Sequence, residues 1–414
     1  MKKGLLLSFL ALAGFSNAQL VSDSVTMGAG YANNIWYSLA NDEQGTAQSA
    51  TNWDIGLATT ISPSNPLAAA VIFNNKVGAV YAIPGSNGTD LATADTAGLS
   101  GWTTLYNSEL TWGTGALNTA SAGGVDYGWG NYDAVNHTGI TANRVFAIKY
   151  MNGSCKLFTV SLPFSSMAYE LNYSDADHTN SGTVSVPFAG SASKNFIYYS
   201  FANAATVDRE PASASWDLYF TQYCANIGAP YPYNLVTGVL HNVGVEVAQV
   251  YPVNNPETDM SFETAVYSED INTIGYDWKT YSGTYTIEDS TVYFVKDKSG
   301  DYWRLIMTGF SGASLGKTTF KKEKVAALSV SENKELISGI FPNPATDKVT
   351  VMVDSKVNAM VKVVNLTGAV VYESATSNGL EAMTISTENF TNGVYLVHVS
   401  NGTATTAERL VVQH

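Results

Sequence analysis

Five histidines, two cysteines and a small set of recurring Trp-Asp pairs are the residues of this 414-residue chain best suited to chemistry. The histidines are His137, His178, His241, His398 and His414, and none stands beside an obvious nucleophile. The chain carries no His-Glu-x-x-His for a zinc hydrolase, no phosphate-binding Walker loop and no Cys-x-x-Cys pair. The expectation is a protein that is not an enzyme. A carboxylate-only mechanism such as glycoside hydrolysis leaves no motif in a single sequence, and nothing positive supports it. Asp175-Ala-Asp177-His-Thr-Asn180-Ser-Gly182 alternates oxygen-bearing side chains before a turn glycine, as calcium loops do, but lacks the closing bidentate Glu. It reads rather as a polar turn. Cys155 and Cys224 either pair, as exported proteins allow, or sit as two buried thiols; the bond is the expected state.

The Trp-Asp pairs belong to an internal repeat. Ile35-Trp-Tyr-Ser-Leu-Ala-Asn41 is followed by Trp53-Asp54-Ile55, and Ile197-Tyr-Tyr-Ser-Phe-Ala-Asn203 by Trp216-Asp217-Leu218. Later landmarks match in the same order: Trp129 to Tyr132 and Val145 to Lys149 in the first copy, Trp278 to Tyr281 and Val292 to Lys296 in the second. The period of about 150 to 160 residues makes each copy domain-sized. Both copies read as β-structure. β-branched and aromatic runs such as Val292-Tyr-Phe-Val are bounded by turn pairs such as Asn152-Gly153 and Ser299-Gly300, and no long stretch has helical periodicity. In the Trp-Asp pairs, Trp faces a core and Asp bonds neighbouring backbone, in preference to a catalytic Asp.

Composition sets the outer bounds. A formal net charge of −14 repels polyanions, so no nucleic-acid partner is expected. Lys2-Lys3, the apolar run Leu5 to Ala13 and the small residues Ser16-Asn17-Ala18 form a secretory signal over residues 1–18. No later apolar stretch is long enough to span a bilayer. The expected fold class is all-β: two tandem β domains over 19–165 and 166–325, a polar linker over 326–338, and a small Ig-like β-sandwich over 339–414.

That last segment resembles the type A C-terminal sorting domain of Bacteroidetes type IX secretion cargo. The matching pieces are Phe341-Pro-Asn-Pro-Ala, Val364-Asn-Leu-Thr-Gly, Asn392-Gly-Val-Tyr-Leu-Val and Arg409-Leu-Val-Val-Gln. Arg409 stands where the family usually has Lys. The resemblance implies a partnership with the type IX secretion machinery, passage across the outer membrane, and a secreted or cell-surface location. His398 lies on a strand of this tail and reads as a half-exposed strand residue.

The two copies resemble the HmuY haemophore family. In the second copy the resemblance rests on Trp216-Asp-Leu-Tyr-Phe, Asn234-Leu-Val-Thr-Gly238, Trp278-Lys-Thr-Tyr281 and Tyr302-Trp-Arg-Leu-Ile-Met307. It implies haem binding at a cell surface for iron acquisition, from free haem or haemoproteins, with the iron held by two side chains of one domain. Haem iron accepts His or Met axially, and the stretch where the family keeps its ligands holds His241 and Met260 in the second copy. Residues 61–126 of the first copy hold neither type. Each residue has a plainer role open to it, His241 on a strand and Met260 as filler. The alternative function is glycan binding or adhesion without haem, through aromatics of the variable regions: Tyr231, Tyr233, Tyr251 and Tyr267 in the second copy, and Trp102, Tyr106 and Trp112 in the first.

Overall fold

The computed structural model describes residues 20–61, 67–230, 232–325, 336–355, 358–377, 379–401 and 405–414; the signal segment and most of the linker lie outside them. The chain divides into a body that ends at Val325 and a tail that begins at Ala326. The body is built of antiparallel strands joined by short 3₁₀ turns. Its first copy comprises β1 (Val21–Thr26), β2 (Asn33–Ser38), β3 (Asp42–Ser49), β4 (Ile55–Ala58), β5 (Val71–Phe73), β6 (Gly78–Ala82), β7 (Gly130–Tyr132), β8 (Gly139–Ala142), β9 (Phe146–Tyr150), β10 (Cys155–Pro163) and β11 (Ala168–Asp175). The second comprises β12 (Gly182–Pro187), β13 (Phe196–Ser200), β14 (Ala205–Val207), β15 (Leu218–Asn226), β16 (Tyr233–His241), β17 (Glu246–Val250), β18 (Lys279–Tyr281), β19 (Tyr285–Ile287), β20 (Val292–Lys296), β21 (Tyr302–Phe310) and β22 (Lys317–Val325). The boundary expected at 165/166 falls inside the β10–β11 hairpin, where Val160 pairs with Leu171. The copies change over one turn later, after Asp175.

The copies do not fold as two tandem domains. They exchange strands. β2 and β3 of the first copy join β15 and β16 of the second in the order β3-β2-β15-β16, and β13 and β14 join β4 and β5 in the order β14-β13-β4-β5. The outer sheets follow the same logic. β12-β11-β10-β9-β6 runs through one lobe, and β1-β22-β21-β20-β17 through the other. One lobe is therefore continuous from β4 to β14. The other spans β15 to β22 and is closed by the chain's first three strands, Val21 pairing with Lys322 and Tyr37 with Leu218.

This arrangement explains why the strands with the richest apolar runs lack polar alternation. β2, β4 and β13 are buried almost throughout, as strands covered on both faces must be. Odd and even residues of β2 face different layers. Ile35 and Tyr37 enter the core of their lobe, while Trp36 enters a layer between the lobes. β13 does likewise: Ile197 and Tyr199 face one lobe core, and Phe196 and Tyr198 face the layer between.

The Trp-Asp pairs hold the exchange together. The Asp54 carboxylate accepts the Phe201 backbone N–H at 2.6 Å, and Asp217 accepts that of Leu39 at 2.8 Å. Each Asp thus fixes the hairpin arriving from the other copy, the backbone role expected of it. Two asparagines that drew no attention in the sequence complete the device. Asn74 Nδ2 donates to the carbonyls of Ala50 and Trp53, and Asn242 Nδ2 to those of Ser213 and Trp216.

The tail is a sandwich of a three-stranded and a four-stranded antiparallel sheet. Its strands alternate as the sequence pattern demands, with Val349, Val351 and Val353 inward on one sheet and Val361, Val363, Val397 and Val399 inward on the other. His398 is half-buried on a central strand of the larger sheet, opposite Lys362.

Candidate functional site

His241 ends β16 opposite Leu218. The equivalent position in the first copy is Phe73, which sits opposite Ile55. His241 thus occupies a core position, with 1% of its surface exposed. Its Nε2 lies 2.8 Å from the Asp270 carbonyl, and its Nδ1 lies 3.2 Å from that of Asn242. Burial lowers its pKa, keeping the ring neutral. Both nitrogens face carbonyl oxygens inside packed protein, which leaves no open side for an iron. Met260 precedes a 3₁₀ turn at Ser261–Glu263 and is 43% exposed. Its Sδ accepts from Arg304 Nη2 at 3.0 Å, so a guanidinium stands where a metal would. The residues present do not fit the two-ligand haem site that the resemblance implied. Sequence reasoning could not see this, because the loops before His241 and Phe73 differ between copies and hide their equivalence.

Cys155 and Cys224 are free, which corrects the expected bond. Cys155 opens β10 opposite Lys149 and packs near Leu157 and Trp102, whereas Cys224 lies on β15 opposite Leu235. The strand exchange puts them on different sheets. Burial raises both thiol pKa values, that of Cys224 to about 11, so neither is a ready thiolate. In the Asp175–Gly182 turn, Asp175 pairs with Lys156 at 2.5 Å and accepts Asn180 Nδ2, while Asp177 accepts Thr179. These oxygens are engaged by Lys156 of β10 and by the turn itself. Among the described residues no cluster of three or more His, Cys, Asp or Glu could hold a metal ion.

The aromatic candidates fare differently. Tyr231 lies outside the described residues. Trp102 packs in a satellite core against Tyr81, Tyr267 packs on Tyr302, and Tyr251 stands alone, 63% exposed. Tyr106 and Tyr233, from different copies, line one groove between the lobes, and Trp112 lines a cavity beside it. Tyr106 and Tyr233 stack at 4.2 Å with their planes 12° apart. Trp112 reaches from a long loop of the first copy into the interlobe layer, donating Nε1–H to the His241 carbonyl at 2.9 Å and lying 6.2 Å from Tyr219. Leu110 and Glu109 of the same loop bind Ile271 and Asn272 of the second copy, tying the lobes together.

The cleft has an inner cavity of about 60 Å³ between the two four-stranded sheets, walled by Trp53, Trp112, Tyr198, Tyr219, Tyr223 and Lys76. An open groove of about 430 Å³, lined by Tyr106, Tyr233, Tyr150 and Lys149, lies beside it, with Asn75 and Cys224 lining both. The inner part is smaller than the ~150 Å³ void that holds benzene, so it can take only the end of a larger molecule lying along the groove. Neither His241 nor Met260 lines either part. Behind the wall, the Arg209 guanidinium lies 5.4, 5.1 and 5.1 Å from the rings of Trp36, Trp53 and Tyr198. It donates to Asn34 Oδ1 at 2.5 Å. Such faces stabilise a desolvated cation.

Residues 339–413 match the family described as the secretion system C-terminal sorting domain. No curated protein matches the chain. The tail therefore directs export by type IX secretion, to the cell surface or the medium, and engages that machinery. No helix among the described residues is long and apolar enough to cross a membrane.

Proposed function

We propose that the exported body is a binding protein, not an enzyme, and that its ligand is a glycan seated in the cleft between the lobes. The observation that carries this reading is that the stacked Tyr106 and Tyr233, from separate copies, line one open groove, and that Trp112 lines a cavity sharing Asn75 and Cys224 with it. Sugars bind proteins through apolar ring faces laid on aromatic side chains and hydroxyls satisfied by amides. The cleft supplies both, with Asn75 and Gln222 beside the rings. A groove some seven times larger than its inner cavity suits a chain-like ligand with one end inserted.

Haem binding keeps only the family resemblance in its favour, since His241 and Met260 give it no support. One titration separates the readings. Tryptophan fluorescence of the mature chain is followed against an oligosaccharide array and, in parallel, against haem. A saturable change with a saccharide, lost in Tyr106→Ala and Tyr233→Ala, supports the cleft. A Soret shift with haem that survives in those variants refutes it.

A further inference from the structure

The charge of the cleft is at odds with the charge of the chain. The protein carries 35 acidic and 21 basic residues. Yet no Asp or Glu lines the inner cavity or the groove, and each contains a lysine. Most described lysines are paired: Lys156, Lys194, Lys296, Lys321, Lys322, Lys324 and Lys362 each have a carboxylate within 4.0 Å. The two cleft lysines have none. Lys76 is held by neutral acceptors alone, the carbonyls of Gly30 and Tyr31 and, at 2.7 Å, Gln222 Oε1. Such acceptors fix the ammonium without cancelling its charge. Burial without a counter-ion lowers its pKa. Lys149 is exposed at the groove and makes no ion pair. Arg209, 4% exposed behind Trp53 and Tyr198, adds a third cation, held by the amide oxygens of Asn34 and Asn52 and in no salt bridge among the described residues.

The acids behind the lining are engaged elsewhere: of the two that act on Tyr150, Asp54 accepts the Phe201 N–H and has its pKa raised by burial, and Asp175 pairs with Lys156. Glu109 and Asp277 act on Tyr223 from outside the lining, and Glu109 is engaged by Asn226 N and Asn272 Nδ2. Glu210 is buried and accepts the N–H groups of Asn195 and Phe196; burial pushes its pKa up to about 7, which weakens its charge. A concave, partly enclosed surface concentrates such a field.

We infer that the glycan bound in this cleft is anionic, a saccharide bearing carboxylate or sulfate groups that Lys149 meets along the groove, in a field to which the charge of Lys76 adds at the inner end. The inference rests on the reading of the cleft as a glycan seat. It predicts selection by charge as well as by ring stacking: Lys149 holds an anionic group, Lys76 adds its charge from within, and Tyr106 and Tyr233 hold the ring faces.

The test uses the full mature chain against defined tetrasaccharides, in which uronate- or sulfate-bearing members are matched with neutral members of similar length, followed by calorimetry. An acidic member is expected to bind, its affinity falling at least ~10-fold between 50 and 500 mM NaCl as screening shortens the reach of the lysines. Lys149→Glu is expected to weaken binding at least ~10-fold while leaving thermal unfolding unchanged, because Lys149 is exposed and makes no ion pair. If neutral members bind as tightly, or Lys149→Glu binds normally while Tyr233→Ala does not, the charge inference is overturned and the cleft reading stands. If no saccharide binds, both are overturned.

Discussion

Lys279 is the residue whose energetic role follows most directly from comparing the copies. In the first copy, Trp129 Nε1 donates to the Ala69 carbonyl at 3.0 Å. The pairing of β4 with β5 and of β15 with β16 makes Thr237 the equivalent of Ala69. In the second copy that carbonyl is taken by Lys279 Nζ at 2.7 Å, and Trp278 Nε1 has no partner. The ammonium lies 4.0 Å from the Trp278 ring centroid and 4.7 Å from that of Phe310, with no carboxylate bonded to it. Burial pushes its pKa down to about 7 from 10.5. Above pH 10.5 the amine is neutral whether folded or unfolded, and burial costs nothing. As pH falls below 10.5 the unfolded chain takes up the proton first, and stability drops by about 1.36 kcal/mol per pH unit until the folded pKa is reached. The whole span is worth at most about 5 kcal/mol, less whatever the two ring faces return. Lys279→Met abolishes this slope and frees the Thr237 carbonyl for Trp278. The assay is urea unfolding by tryptophan fluorescence, which reports on the body alone because all eight tryptophans precede residue 326. The variant is expected to be more stable than the parent at pH 7 and to converge with it near pH 10.5. Parallel pH profiles would refute the reasoning.

Other consequences are open to simple measurements. A circular permutant that joins Val325 to Leu20 through a short Gly-Ser linker and opens at Thr51, without the tail, keeps every strand pair, so its circular dichroism should match the parent body; deletion of residues 20–50 should abolish cooperative unfolding. Asp217→Ala leaves the Leu39 N–H buried without its acceptor and should cost about 1–3 kcal/mol in urea unfolding, with Asp54→Ala costing a similar amount. Thiol titration of the denatured, unreduced chain should find two free thiols, and a value near zero would restore the bond.

Much of the local architecture was legible in the chain. Turn pairs, β-branched runs and the alternating valines of the tail act over a few residues, so the all-β class and the tail sandwich could be read directly. The repeat was legible too, and so was the backbone role of its Trp-Asp pairs. The tail's motifs are contiguous, which is why they mark the sorting domain over the same residues as the family match at 339–413.

Tertiary structure decided what depends on partners distant in sequence. Either copy's opening hairpin satisfies the same ladder in its own lobe or in the other, and nothing in Ile35-Trp-Tyr or Ile197-Tyr-Tyr states which. The exchange emerges only when Asp54 meets the Phe201 N–H and Asp217 that of Leu39, contacts spanning 147 and 178 residues. His241 looked available because a strand residue's exposure depends on what covers its sheet, and here Asp270 and Trp112 do. The cysteines were misjudged for the same reason: spacing along the chain says nothing of which sheet each strand joins. The cleft is the clearest case, because Tyr106 and Tyr233 are 127 residues apart and stack only once the lobes have closed. Sequence determines the faces of strands, while the burial, charge balance and meeting of those faces belong to the assembled fold.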